Sequence, residues 1–145
     1  NGVFTPRFCI HSYKAIPTEP DMYQKEHPKF FAIIQKFMQL REELKTYILD
    51  QVKLAHERGI PIMRPTVYDF QDDKNTYNQS FEYMFGDKYL IAPVYKSMSD
   101  SCARDIYLPG KDFQWKHYFS QEVFDAGQEI SLSVNFSNIP VFEKI

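Results

Sequence analysis

The hydrophobic pattern divides the chain near Gly59. Residues 2–10, GVFTPRFCI, form an apolar, aromatic-rich run that predicts a short buried strand. Pro6 has no N–H for a central ladder, so that strand is expected to be short or irregular. Residues 12–29 hold three prolines and few apolar residues, which predicts a surface loop. Pro28 suits a first helical turn, where its missing N–H has no partner to lose. From 30 to 58, the apolar residues Phe30, Ile34, Phe37, Leu44, Ile48, Val52 and Ala55 recur at steps of three, four or seven. That spacing predicts one long helix with a single apolar stripe, and Glu43, Lys45, Lys53 and Glu57 fall mainly on other faces. Gly59 and Pro61 then stop the helix. A helix of this length needs a large apolar partner surface.

Beyond residue 60 the period changes. IPIMRPTVYDF, KYLIAPVY, RDIYLP, FQWKHYF, QEISLSV and IPVFEKI are short, β-rich and separated by turn signals. They predict an antiparallel β-sandwich or barrel piece. The expected organisation is therefore 1–59, a strand and a long helix, followed by 60–145, a small all-β domain. The class is α+β for the chain taken alone. A lone β/α unit cannot bury both faces of its strand, so 1–59 reads as the last unit of a parallel α/β structure whose earlier units lie outside the chain.

Composition narrows the function classes. Of 145 residues, 43% are hydrophobic and 17% aromatic, enough for a core. The net charge is -2 and the basic residues are scattered, so no nucleic-acid partner is expected. No apolar run approaches the ~18 residues of a membrane span, so no membrane partner is expected either. Cys9 and Cys102 have no metal-ligand spacing; a disulfide between them is one reading, and two buried free thiols are the expected one. No secretory signal is visible. Asn78-Gln-Ser80 and Asn135-Phe-Ser137 match the glycosylation triplet, which is frequent by chance. The compartment stays open.

Several residues could carry chemistry. His11 ends the first apolar run, either as a histidine satisfied within a loop or as a side chain delivered to a site. Arg64 near Asp69 suggests a buried ion pair that fixes a domain junction. Asp69, Asp72 and Asp73 form a carboxylate cluster with no adjacent His, so a solvated loop is expected and no metal site. Trp115 reads as sandwich core or interface rather than a sugar platform. His117 alternates with Trp115 and shares its strand face, but is expected at the surface. His27 and His56 sit at the start and end of the helix, where capping accounts for them.

Taken in order, GVFTPRFCIHS, AHERGIPIMRPTVYDFQDD, FEYMFGDKYLIAPVY, IYLPGKDFQW and NIPVFEKI resemble glycoside hydrolase family 31, the family of α-glucosidases and α-xylosidases. The resemblance covers nearly the whole chain. It implies a (β/α)8 catalytic barrel followed by β-sandwich domains. Strand 2–10 and helix 30–58 then correspond to the eighth barrel strand and helix, and 60–145 to the domain after the barrel. The implied chemistry is retaining hydrolysis of terminal α-linked glucose- or xylose-type residues by two Asp carboxyls, with no metal or organic cofactor. Both carboxylates would lie on earlier barrel strands, so this chain holds no catalytic residue and is expected to be inactive alone. His11 corresponds to the histidine that closes the eighth strand and hydrogen-bonds sugar hydroxyls, which makes it the one substrate-binding residue implied.

The chain departs from the family pattern at some positions. Cys9 stands where many members have Arg. Tyr13-Lys14 stand where Trp-Asn is frequent, and Thr18-Glu19-Pro20-Asp21 where Asn-Glu-Pro-Trp is. Thr46 replaces a common proline, which should only straighten the helix. The rival expectation is a non-catalytic carbohydrate-binding or interaction β-sandwich centred on Trp115. A third is a structural partner completing another chain's barrel. An uncovered strand face and helix stripe also predict self-association of the chain.

Overall fold

The computed structural model describes residues 2–9, 23–79, 81–97, 102–136 and 138–145, in two units, Asn1–Ile60 and Pro61–Ile145. The first unit contains no strand among its described residues. Gly2–Phe4 is a 3-10 turn that buries Val3 and Phe4, and residues 5–9 follow as irregular chain. This corrects the strand expected over 2–10. An isolated strand has no ladder for its N–H and C=O groups, and Pro6 cannot donate at all. The carbonyls are met in another way. The Arg41 guanidinium donates to the carbonyl of Val3 at 2.7 Å, to that of Pro6 at 2.9 Å, and to that of Thr5. Thr5 Oγ1 donates to the Gly2 carbonyl at 2.7 Å and to that of Arg7 at 3.0 Å, closing the segment into a loop.

The helical expectation holds with three changes. A short helix α1, Tyr23–Glu26, occupies the end of the predicted loop. The long helix begins at Pro28 and is divided at Leu44 into α2, Pro28–Glu43, and α3, Lys45–Arg58. The i to i−4 bonds continue through the division, with Leu44 N donating to Leu40 O at 3.0 Å and Ile48 N to Leu44 O at 2.9 Å. The buried stripe also shifts. Leu40, Leu44, Ile48 and Gln51 are buried, whereas Phe30 and Val52 are exposed. Gly59 ends α3 at φ 68°, and its N–H donates to Ala55 O at 2.9 Å; this left-handed conformation suits glycine.

The second unit is built from antiparallel sheets. Its strands are β1 Met63–Pro65, β2 Tyr83–Phe85, β3 Tyr89–Ile91, β4 Ala103–Leu108, β5 Gln114–His117, β6 Val123–Asp125, β7 Gln128–Ser133 and β8 Val141–Lys144. Six of them form one sheet in the order β1-β2-β3-β8-β5-β6, and β4 pairs with β7 in a second. One core joins both sheets. Met84, Leu90, Trp115 and Phe142 come from the larger sheet, and Ile106 and Leu108 from β4, with Ile130 and Leu132 of β7 packed beside them. Alternation along β5 and β7 puts Trp115, Ile130 and Leu132 on the inner side. Each fully buried large side chain contributes roughly 1.5–3 kcal/mol of transfer free energy.

Two sequence expectations change here. Of IPIMRPTVYDF only Met63–Pro65 is strand, and Thr66–Asp69 forms one turn of helix, α4. The strands β2 and β6, each three residues, are not singled out by the alternation pattern. No helix among the described residues is long and apolar enough to cross a membrane.

Candidate functional site

His11 lies outside the described residues, as do Tyr13, Lys14 and Thr18-Glu19-Pro20-Asp21. What the structure describes is the run that leads to it. Arg41 of α2, one helical position from the buried Leu40, holds three backbone carbonyls of that run. The segment Gly2–Phe8 is therefore fixed by a side chain, and no strand ladder is needed.

In the β unit, Arg64 is buried at 6% exposure, and its Nε donates to Asp69 Oδ2 at 2.7 Å. Its Nη1 donates to the Pro61 carbonyl at 3.0 Å, and the guanidinium lies 5.7 Å from the Tyr68 ring centroid. The pair expected from sequence is present.

Asp73 corrects the reading of 69–73 as a merely solvated loop. Its Oδ2 accepts from the Tyr107 hydroxyl at 2.7 Å and from Gly110 N–H at 3.1 Å, and its Oδ1 accepts from Asn75 N–H at 3.1 Å. Thr76 Oγ1 donates to the carbonyls of Asp73 and Phe70. The loop is thereby tied to the end of β4. Beside it opens a cavity of about 420 Å³, bounded by residues 69–74, Tyr107, Gly110, Lys111 and Phe113. No group of three or more His, Cys, Asp or Glu suited to a metal occurs among the described residues.

Trp115 is fully buried, and its indole N–H donates to the Pro109 carbonyl at 2.9 Å. It is core, as expected. His117 is not the surface residue expected from sequence, since it is only 3% exposed. Its shared face with Trp115 was the signal for this. The Ser120 backbone N–H donates to His117 Nδ1 at 3.2 Å, and the Ser120 hydroxyl sits 2.7 Å from the same nitrogen. Nδ1 is thus an acceptor, so the neutral ring carries its proton on Nε2, facing the Ile139 carbonyl. Burial pulls the imidazole below its ordinary value, against the upward effects of the Ile139 carbonyl and Glu122. This is a locally closed β5–β6 turn, with neither nucleophile nor base open to a substrate.

Glu82 is a buried group that the sequence pattern does not mark. One oxygen accepts from Tyr107 N–H at 3.1 Å, on the side of β4 away from β7, and lies 3.5 Å from Arg104 Nη2. The other oxygen is buried with no hydrogen-bond partner. Burial pushes the carboxyl up to about 7. The Tyr107 N–H and Arg104 pull it down, and Glu129 adds to the rise. The geometry is that of a strand-edge plug.

The remaining expectations are quickly placed. Cys9 and Cys102 are outside any disulfide, but both are exposed rather than buried. His56 lies in the last turn of α3, where a basic residue faces the helix carbonyls. His27 holds the N-cap position of α2 but makes no side-chain capping bond; its ring sits edge-on to Phe30. Asn78 and Asn135 are exposed, while the serines of their triplets, Ser80 and Ser137, lie outside the described residues.

Comparison with known proteins gives these features a setting. The family model of the glycosyl hydrolase family 31 C-terminal domain matches residues 59–144. An alpha-xylosidase of Saccharolobus solfataricus is 32% identical over 141 residues, covering 97% of this chain and 18% of its own length. Alpha-glucosidase 2 of Bacillus thermoamyloliquefaciens is 33% identical over 144 residues, covering 99% of this chain and 17% of its own. Among solved structures, the cycloalternan-degrading enzyme of Trueperella pyogenes superposes with a TM-score of 0.84 at 26% identity, over 99% of this chain and 21% of that one. The chain thus spans about a fifth of the length of the relatives it matches.

Proposed function

The chain belongs to glycosyl hydrolase family 31, and we propose that it serves a retaining, exo-acting α-glycosidase that removes terminal glucose- or xylose-type residues. The observation that carries this is the family match over 59–144, together with an alpha-xylosidase and an alpha-glucosidase that each align to nearly all of the chain. In this reading 1–59 is the end of the catalytic barrel and 60–145 the β domain that follows it. Helices α2 and α3 form the eighth barrel helix. The run 2–10 takes strand form only when a neighbouring barrel strand supplies a ladder.

His11 would close that strand at the barrel's C-terminal face, where active-site side chains converge. Its imidazole can donate one hydrogen bond and accept another, which suits vicinal sugar hydroxyls. The nucleophile and the acid/base carboxyls are contributed by earlier strands, with carboxyl groups roughly 5–5.5 Å apart for retention. The 145-residue chain therefore binds or positions but does not hydrolyse. The rival reading, a binding module centred on Trp115, is disfavoured because that indole is fully buried and its N–H is already donated.

Incubating the chain with p-nitrophenyl α-glucoside and α-xyloside tests the proposal. No turnover above background is expected. Turnover by the chain alone would overturn the assignment of the catalytic carboxyls to other segments.

A further inference from the structure

We infer that the cavity beside Asp73 in the β unit is a second carbohydrate site, one that takes a neutral mono- or disaccharide. The inference rests on the carbohydrate reading above and extends it to another place on the chain. Five observations carry it. The cavity encloses about 420 Å³, within the roughly 300–1,000 Å³ of small-molecule sites. Its wall is apolar and aromatic. Phe70 and Phe113 lie 6.1 Å apart at an interplanar angle of 23° and are braced from below by Trp115.

Its frame is already satisfied. Asp73 is committed to Tyr107 and Gly110, and Asp69 to Arg64, so the loop keeps its shape without a ligand. Its rim carries exposed charged side chains. Among the described residues, the side chains of Asp72, Lys74 and Lys111 take part in no hydrogen bond or ion pair, and all three border the cavity. Gly110 completes the arrangement. It sits at φ +100°, and a Cβ there would run into the Phe113 and Phe70 rings; the Lys144 ammonium lies over the same rings, 4.4 Å from the Phe113 centroid and 5.7 Å from that of Phe70.

This combination selects for sugar chemistry. A pyranose presents C–H groups on one face and hydroxyls at its edge. The C–H face packs on aromatic rings. The hydroxyl edge needs acceptors and donors together, and Asp72 supplies the first and Lys74 and Lys111 the second.

Titrating the isotope-labelled 145-residue chain with glucose, xylose and isomaltose, followed by amide NMR, tests the site. Weak binding, with Kd about 1 mM, is expected. The shifts should be confined to Gln71–Lys74 and Gly110–Phe113. Asp72→Ala removes only an exposed side chain; it should leave the spectrum folded and weaken binding about tenfold or more. Three results would overturn the inference: no perturbation with any of the three sugars, perturbation confined to other residues, or perturbation by inorganic phosphate but by none of the sugars. Binding is read on this chain, whereas glycoside hydrolysis is read on a longer protein, so the two readings fail separately.

Discussion

Arg64 and Asp69, five residues apart in sequence, meet through a 2.7 Å Nε–Oδ2 contact that closes α4 back onto β1. The Arg64 side chain is 5% exposed and that of Asp69 25%. Removing the acid strands a buried cation that keeps, among the described residues, the Pro61 carbonyl and the Tyr68 face. Asp69→Ala should therefore destabilise the β unit by about 2–4 kcal/mol, somewhat below the cost for a fully buried pair because Asp69 is partly solvated. Urea denaturation followed by Trp115 fluorescence measures it. An unchanged midpoint would show that the pair is ornamental.

Glu82 should make stability depend on pH in an unusual direction. Its carboxyl titrates near 7 in the fold and near 4.5 when unfolded. The folded state thus holds a proton that the unfolded state releases, so this group's contribution is complete below about pH 4.5 and is lost as pH rises through 7. Roughly 3 kcal/mol is at stake across that window. His117 opposes it. Its imidazole is depressed by burial, so its contribution is present above the ordinary histidine value and fades as pH falls. Comparing the chain with Glu82→Gln isolates the carboxylate. The variant should lose the decline between pH 5 and 8; a parallel decline in both proteins would reject the assignment.

Gly110 has little tolerance for a side chain. Its φ of +100° and the rings of Phe113 and Phe70 both stand against a Cβ. Gly110→Ala should cost about 2–4 kcal/mol, combining backbone strain and overpacking. Gly59→Ala at the end of α3 meets no neighbour within 4 Å and should cost only about 1 kcal/mol. Thermal melts of the two variants should rank them in that order.

The helices were legible in sequence because apolar residues at steps of three and four leave a stripe that survives any context. The division at Leu44 was not, since its hydrogen bonds continue and no proline or glycine marks it. Residues 2–9 depart from the strand pattern for a physical reason. An apolar run reports burial but not whether a ladder partner exists, and here Arg41 takes the carbonyls instead. The strands β2 and β6 are too short for alternation to stand out. The burial of His117 was readable from its register with Trp115. Glu82 was not, because a lone acid between Phe81 and Tyr83 looks like any exposed polar position.

Arg41 predicts a local effect. Arg41→Ala frees the carbonyls of Val3, Thr5 and Pro6 without touching the β core. Chymotryptic cleavage after Phe8 should accelerate about tenfold while the urea midpoint of the β unit stays put. Equal cleavage rates would mean that the segment is held by something else.

The apolar side chains left open on α2 and α3, Phe30, Met38, Leu49 and Val52, should make the chain self-associate. Sedimentation velocity at rising concentration should show growing mass. A single monomer peak at high concentration would count against this.

In the proposed function this segment brings His11 to the sugar site of a family 31 α-glycosidase. That role is tested most directly by kcat/KM on p-nitrophenyl α-glucoside and α-xyloside, measured on a longer protein that carries this chain behind a complete barrel. Turnover with retention of the α-anomer is expected, and a loss of about 10²-fold or more for His11→Ala, in line with removing a group that orients the substrate. Absence of turnover on both α-glycosides, or full activity in His11→Ala, would contradict it.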